Sequence, residues 1–294
     1  MGLPLAATWE LALLCNYRCP YCFVHWHEPE IGMFHLGISP NDWVAFWERM
    51  HSRYGGFHIT IAGGEPFVYP GFLDMIKHVS KWHRLAVNTN LSFDPKHFIG
   101  VVIPDRITLS ASFHPHYETL EIFIPRILAL RSAGYDIITT VVAYPPYFEK
   151  LPQFKQAFEK AAIPYSFQPF QGKIGAKEYP RDYTDSERIF LFGESVMKSE
   201  AMALPMKATS PLGRPCAAGQ RRFRVTSNGD VIRCAPALVL DLPPLGSIKD
   251  PDLQLFPEAR PCPAEACHCP EEFSYLLDLE IQSSLQTETV PGAL

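Results

Sequence analysis

The chain is expected to fold as an α/β protein, a partial barrel of parallel βα units followed by a small cysteine-rich module with a β-hairpin. Three observations predict this. Short apolar segments alternate with amphipathic helical ones from Trp9 to about residue 199, the pattern of parallel βα units. The alternation gives six units, short of the eight that close a barrel, so one side stays open to a substrate. The eight cysteines fall into two clumps, Cys15 to Cys22 and Cys216 to Cys269, and the second clump begins where the alternation stops.

Each element has its own signal. Trp9 to Leu14 reads as the first strand, ending at Cys15. Ser39 as cap and Pro40 at the first helical position start a helix to about Arg53. Phe57 to Ala62 is a strand running into Gly63-Gly64, and Phe72 to Trp82 has apolar residues at helical spacing. Leu85 to Val87 is a short strand ending at Asn88-Thr89-Asn90. Arg106 to Ser112 is a strand, Thr119 to Ser132 a helix, and β-branched Ile137 to Ala143 a strand closed by Tyr144-Pro145-Pro146. Phe154 to Ala162 is helical, Tyr165 to Phe170 is the sixth strand, and Asp185 to Ser199 is a helix behind a Thr184 cap.

The pattern changes near Pro205. Ala208 to Pro215 reads as a linker. Phe223 to Thr226 and Val231 to Arg233 flank Ser227-Asn228-Gly229-Asp230, a hairpin signal framed by Cys216 and Cys234. The expected division is a barrel over 1–204, an auxiliary module over 205–275 and a C-terminal helix or tail over 276–294. The module's core is too thin to stand unaided, so a bound metal cluster would staple it.

Composition narrows the class. Twenty-six basic against 31 acidic residues, a net charge of −5 and no basic run argue against a nucleic-acid partner. A 47% hydrophobic chain can fill a core and is not disordered. No uncharged apolar stretch of ~18 residues exists, so no membrane span is expected. The start lacks the basic region of a secretory signal, which points to the cytoplasm. In a reducing compartment, eight cysteines speak for metal or cluster binding over disulfides.

Cys15-Asn16-Tyr17-Arg18-Cys19-Pro20-Tyr21-Cys22 puts three thiols on one short loop at the C-terminal end of the first strand. Three thiolates can hold three irons of a [4Fe–4S] cubane and leave the fourth iron open. A zinc ion would want a fourth ligand, which His25 or His27 could offer. The loop, with Tyr21 directly before the third cysteine, resembles the signature of the radical S-adenosylmethionine (radical SAM) superfamily. Gly63-Gly64-Glu65-Pro66, at the end of the second predicted strand, resembles that superfamily's second signature.

This resemblance spans about residues 8 to 190. It implies a TIM-like (β/α)6 partial barrel, a [4Fe–4S] cluster on Cys15, Cys19 and Cys22, and S-adenosylmethionine on the open iron. It further implies a flavodoxin- or ferredoxin-type reductant and cleavage of S-adenosylmethionine to a 5′-deoxyadenosyl radical that abstracts a substrate hydrogen. By the same resemblance, Gly63 and Gly64 let the backbone approach the ligand and Glu65 accepts from its ammonium. The Tyr21 carbonyl meets the adenine, and Asn88, Ser110 and Ser112 line the ligand from the third and fourth strands. Many relatives carry Ser-x-Asp where this chain has Ser110-Ala111-Ser112.

Cys216-Ala217-Ala218-Gly219, the hairpin, Cys234 and Leu245-Gly246-Ser247-Ile248 resemble the SPASM and twitch auxiliary domains. A full SPASM domain brings more cysteines than remain here, so the twitch form with one auxiliary [4Fe–4S] cluster is implied. Cys216 and Cys234 are its first ligands; two more come from Cys262, Cys267 and Cys269, with the pair open. A zinc knuckle accepts the same spacing.

The implied function is that of a radical SAM enzyme acting on a ribosomally made peptide. A small-molecule dehydrogenase or epimerase is the alternative. A non-catalytic iron–sulfur carrier or a zinc-stapled scaffold is the remaining class, against which Glu65 and its glycines argue. The cluster loop arrives at residue 15, so a leader-binding module is expected on a separate protein. His114, His116, Gln168 and Gln171 could face the cavity, but surface roles are commoner for such residues. Trp26, Tyr179 and Tyr183 read as packing.

Overall fold

Six strands run parallel, each hydrogen-bonded to the next in sequence: β1 (Ala6–Ala12), β2 (His58–Gly63), β3 (Arg84–Thr89), β4 (Ile107–Ser112), β5 (Asp136–Ala143) and β6 (Tyr165–Pro169). The structure is a computed structural model that describes residues 3–22, 37–193, 210–267 and 274–277. Helices α1 (Pro40–Tyr54), α2 (Phe72–Val79), α3 (Leu120–Ser132), α4 (Leu151–Lys160) and α5 (Asp185–Phe192) follow five of these strands. The link from β3 to β4 carries only 3₁₀ turns at Pro95–His97 and Pro104–Arg106, because each proline starts a turn that the intervening chain does not extend.

Local chemistry sets the boundaries. Ser39 Oγ accepts from the Asp42 N–H at 3.2 Å and Asp42 returns the favour to the Ser39 N–H at 3.1 Å, a complete capping box for α1. The buried stripe of α1, Trp43, Phe46, Trp47 and Met50, packs on Trp9 of β1, with ring centroids 5.0 and 5.4 Å apart for the two tryptophans. Helix α2 stops at Val79, short of Trp82, because the chain turns there to bring His83 into the core. The buried His83 accepts the Phe57 N–H at Nδ1 (3.0 Å) and donates from Nε2 to the Trp47 carbonyl (3.0 Å). Burial holds its pKa down to about 4, so it is neutral.

The sheet does not close on itself. The free edge of β1 pairs in parallel with β10 (Arg222–Val225). An antiparallel run of β11 (Asp230–Ile232) and β12 (Gly246–Ser247) completes a nine-stranded sheet. The hairpin expected from Asn228-Gly229 is therefore present, and its apolar side shares the barrel's core. Phe223 is fully buried against Trp47 and Phe57, and Val225, Val231 and Ile248 lie in the same cluster. Two small antiparallel pairings stand apart from the main sheet. One joins β7 (Gly172–Ile174) and β8 (Lys177–Tyr179) above β6, and the other joins β9 (Pro215–Cys216) and β13 (Arg260–Pro261).

Leu109, Ala111, Ile137 and Val141 alternate inward to the helices. The opposite strand face is half-exposed and mixed, with Ser110, Ser112 and Thr140 beside Ile138 and Val142. Among the described residues, no helix is long and apolar enough to cross a membrane. Helix α5 ends at Phe192, capped by Gly193 at φ +80°, short of the expected Ser199. His25, Trp26, His27, Cys269 and the tail beyond 277 lie outside the described residues.

Candidate active site

The three-cysteine loop leaves β1 through a register shift. Glu10 pairs with Ala62 but Ala12 pairs with Gly63, so Leu11 is the extra residue of a bulge. The bulge turns the chain out of the sheet at the strand's C-terminal end. The loop then folds back on itself, with the Cys22 N–H donating to the Cys19 carbonyl at 3.0 Å and the Tyr17 N–H to the Cys15 sulfur at 3.3 Å. Cys19 is buried and Cys15 and Cys22 are half-buried, all as free thiols. Burial raises the Cys15 thiol and pushes Cys19 up to about 12, with Cys22 and Cys15 adding repulsion at Cys19.

Gly63-Gly64-Glu65-Pro66 lies against this loop. The Gly64 N–H donates to the Ala12 carbonyl and the Glu65 N–H to the Leu14 carbonyl, both at 2.8 Å. A Cβ on Gly63 (φ +128°) would sit 2.2 Å from the Ala12 carbonyl oxygen, and one on Gly64 would sit 2.1 Å from that of Leu14. The glycines are thus required by the approach of two backbone segments, a reason that adds to the ligand approach expected from the motif.

Glu65 is 2% exposed. Its carboxylate accepts from the Phe67 N–H (3.1 Å), the Thr89 hydroxyl (2.8 Å) and the Asn90 N–H (2.5 Å). Three of roughly four acceptor positions are filled by the protein, leaving one for a cation. Burial lifts its pKa to about 7 against the pull of those donors. Asn90 carries the network on, donating from its amide to Asn16 of the cysteine loop at 2.8 Å, and Asn16 donates to Ser92 at 2.9 Å. Glu65, the end of β3 and the cysteine loop are one hydrogen-bonded unit.

The other expected site residues lie around it. Asn88 is directly opposite Ser110 in the β3–β4 register, and Ser112 is two residues further along β4. All three stand on the half-exposed strand face, with Asn88 exposed and the serines half-exposed. Tyr21 is buried, its ring tilted against Tyr144 at 5.1 Å and its hydroxyl 2.9 Å from His114 Nδ1. Tyr179 and Tyr183 are packing residues, as their loop position suggested. The Tyr183 hydroxyl ties β5 to the loop after β6, donating to the Ala143 carbonyl at 2.5 Å and accepting from the Phe170 N–H at 2.9 Å.

The second constellation also converges. Cys216, Cys234, Cys262 and Cys267 are buried in one cluster with Ala218 and Leu276 and rim one small pocket. Residues far apart in sequence meet there because β9 pairs with β13, the Cys262 N–H donates to the Arg214 carbonyl at 2.8 Å and Cys234 directly precedes helix α6 (Ala235–Val239), its carbonyl accepting from the Ala237 N–H. Among the described residues, no three metal-ligating side chains meet closely enough for a single ion.

Sequence reading singled out Asn88-Thr89-Asn90 but gave a role only to Asn88, and it missed Asn16, Tyr117 and the contact made by His114. Tyr117 stacks on Tyr17 with centroids 4.3 Å apart and accepts the Arg18 N–H at 2.7 Å, so the loop after β4 clamps the cysteine loop. The polar triplet at the end of β3 was a usable signal for Thr89 and Asn90. For Tyr117, nothing local distinguished one aromatic of that loop from the next.

Comparisons with known proteins agree with this geometry. Residues 9–110 match the family model described as the radical SAM superfamily. A "S-adenosylmethionine-dependent nucleotide dehydratase" of Psychrobacter lutiphocae is 27% identical over 108 residues, 33% of this chain and 36% of that protein. "Mycofactocin maturase MftC" of Mycobacterium ulcerans is 29% identical over 83 residues, 28% of this chain and 21% of that protein. The chain thus spans about a third or less of these curated relatives' length. Streptococcus suis SuiB, solved bound to precursor peptide SuiA, shares the fold at a TM-score of 0.58, with 15% identity over 85% of this chain and 64% of SuiB. The segment that matches the radical SAM superfamily model, residues 9–110, is the one that holds both the three-cysteine loop and the buried glutamate.

Proposed function

We propose that the protein is a radical SAM enzyme that modifies a ribosomally made peptide. Cys15, Cys19 and Cys22 hold its [4Fe–4S] cluster, and Cys216, Cys234, Cys262 and Cys267 hold one auxiliary cluster, leaving Cys269 spare. The observation that carries the reading is Glu65. A buried carboxylate with one open acceptor position, hydrogen-bonded through Asn90 and Asn16 to a three-thiol loop, is what an amino-acid ligand beside a cluster requires and what an electron carrier does not.

When bound, the cluster supplies the electron that cleaves S-adenosylmethionine to the radical that takes a substrate hydrogen. The chain's own residues do the rest. Glu65 orients the ligand's ammonium, and Asn88, Ser110 and Ser112 offer polar contacts from the open strand face. Tyr21, Tyr144 and Tyr147 wall the loop from water. The raised thiols of Cys15 and Cys19 must give up protons on loading, so assembly improves as pH rises.

The peptide assignment draws on the names of MftC and of SuiB with its precursor peptide. A small polar substrate is the second reading, favoured by the hydroxyl-lined strand face and by the nucleotide dehydratase relative. The division at residues 204 and 205, the flavodoxin- or ferredoxin-type reductant and a separate leader-binding protein belong to the same proposal.

The anaerobically reconstituted protein should carry about eight irons, four per cubane, and about half of that after Cys15, Cys19 and Cys22 are changed to Ala. With a strong reductant, the wild type should form 5′-deoxyadenosine and the triple variant none. Equal yields from both would sink the assignment. Stoichiometric zinc with about four irons would remove the auxiliary cluster only.

A further inference from the structure

His114 is the polar side chain that stands over Cys19. It follows β4 by two residues, and its backbone is fixed on both sides. The buried Phe113 packs on Phe123 and Phe154 with centroids 5.0 and 5.1 Å away. The Phe113 N–H donates to the Thr140 carbonyl at 2.8 Å. The His114 carbonyl is taken by the N–H groups of Tyr117 (2.9 Å) and Glu118 (3.1 Å). The ring is held between two aromatics of the cysteine loop, edge-on to Tyr17 and stacked with Tyr21, each at 5.8 Å. This places Nδ1 at 3.3 Å from the Cys19 sulfur and 2.9 Å from the Tyr21 oxygen.

The need for a donor there follows from the sulfur. Cys15 already accepts a backbone N–H, from Tyr17. Cys19 is 8% exposed, and its sulfur meets two side-chain groups, the Tyr21 hydroxyl and, at 3.3 Å, Nδ1 of His114, the one nitrogen of the pair. As an iron ligand, Cys19 carries no hydrogen and can only accept. The contact is then satisfied by the tautomer with hydrogen on Nδ1, shared between the sulfur and the Tyr21 oxygen.

We infer that His114 is a positioning residue for the first cluster, donating its Nδ1–H to the Cys19 sulfur and thereby raising the cluster's reduction potential. This rests on the radical SAM reading above. Reduction adds negative charge to the cluster, and a hydrogen bond to a ligand sulfur stabilises that charge; such bonds are among the protein's levers on potential. The clamp also orders the loop, because one imidazole contacts Tyr17, Cys19 and Tyr21 at once.

The test is a redox titration of the full-length reconstituted protein without S-adenosylmethionine. It follows the paramagnetic signal that disappears when Cys15, Cys19 and Cys22 are changed to Ala. His114→Leu removes the donor, and His114→Asn keeps an N–H near the Nδ1 position. We expect His114→Leu to shift the midpoint to a more negative potential with iron content unchanged and His114→Asn to stay close to wild type. A wild-type midpoint in His114→Leu overturns the inference. So do equal shifts in both variants, which would mean packing alone, and loss of the cluster's iron in His114→Leu, which would mean ligation or folding. If the wild type itself binds no iron at the three cysteines, the radical SAM reading fails, a result separate from any of these.

Discussion

Glu65 shows how much one side chain can hold together. Its three donors meet a carboxylate with acceptors on both oxygens. Glu65→Gln turns one oxygen into an NH₂ that must face an N–H or O–H of the same network. A charge-assisted hydrogen bond is worth ~1.5–3 kcal/mol, so calorimetry should find S-adenosylmethionine bound roughly 10- to 150-fold more weakly, and more weakly still in Glu65→Ala. The pH dependence has a definite sign. The folded carboxyl holds its proton up to about 7, whereas the unfolded one releases it near its ordinary value of 4.5. Stability of the cluster-free protein therefore falls as pH climbs through that window, by up to about 3 kcal/mol. Urea midpoints across the window should show the fall in wild type and not in Glu65→Gln. A cation beside Glu65 favours the ionised form, so ligand affinity should rise from about pH 6 to about pH 8. The motif made Glu65 visible in the sequence, but its protein donors, at positions 67, 89 and 90, were not. They come from the next turn and from a neighbouring strand, and only the β2–β3 pairing brings the strand close.

At the scale of elements, the site is a junction of two loops that leave adjacent parallel strands. The cysteine loop exits β1 through a bulge, the glycine loop exits β2, and two 2.8 Å backbone hydrogen bonds join them. Gly64→Ala would force its methyl onto the Leu14 carbonyl, a backbone atom that cannot swing aside. Overpacking in a tight site costs about 1–3 kcal/mol and more against backbone. The expected outcome is a lower melting temperature and loss of the iron bound by Cys15, Cys19 and Cys22, with the other cysteines' iron retained. Wild-type iron at the first loop would show that the two loops can part without harm. The order of strands and helices was readable from apolar spacing and caps such as Ser39 and Thr184. The short β7–β8 pairing and the 3₁₀ link before β4 were not, because elements of three residues carry too little periodicity to register.

Across the whole molecule, the C-terminal hairpin completes the sheet that the barrel leaves open. Phe223 of β10 is fully buried on Trp47 and Phe57, and Arg224 of the same strand bonds to Glu10 of β1 at 2.5 Å. Large-to-small changes of this kind cost about 3–5 kcal/mol, so Phe223→Ala should lower the unfolding transition of the barrel itself, followed by tryptophan fluorescence. A barrel that melts unchanged would mean that the hairpin folds as an independent satellite. Sequence composition could not decide this, since a Cys- and Pro-rich segment looks too thin to have a core of its own. It borrows one.

What the sequence determined alone was chemistry carried by short spacing. Cys15, Cys19 and Cys22 share one loop, Gly63 to Pro66 share one turn, and the alternation of strand and helix needs no partner to be read. Tertiary structure decided what depends on neighbours distant along the chain. It brought Cys216, Cys234, Cys262 and Cys267 around one pocket, joined Asn90 to Asn16, set His114 over Cys19 and gave the free edge of β1 to β10. The reason is physical: parallel pairing and the burial of aromatic faces are satisfied between segments, so no single segment records which partner it will meet.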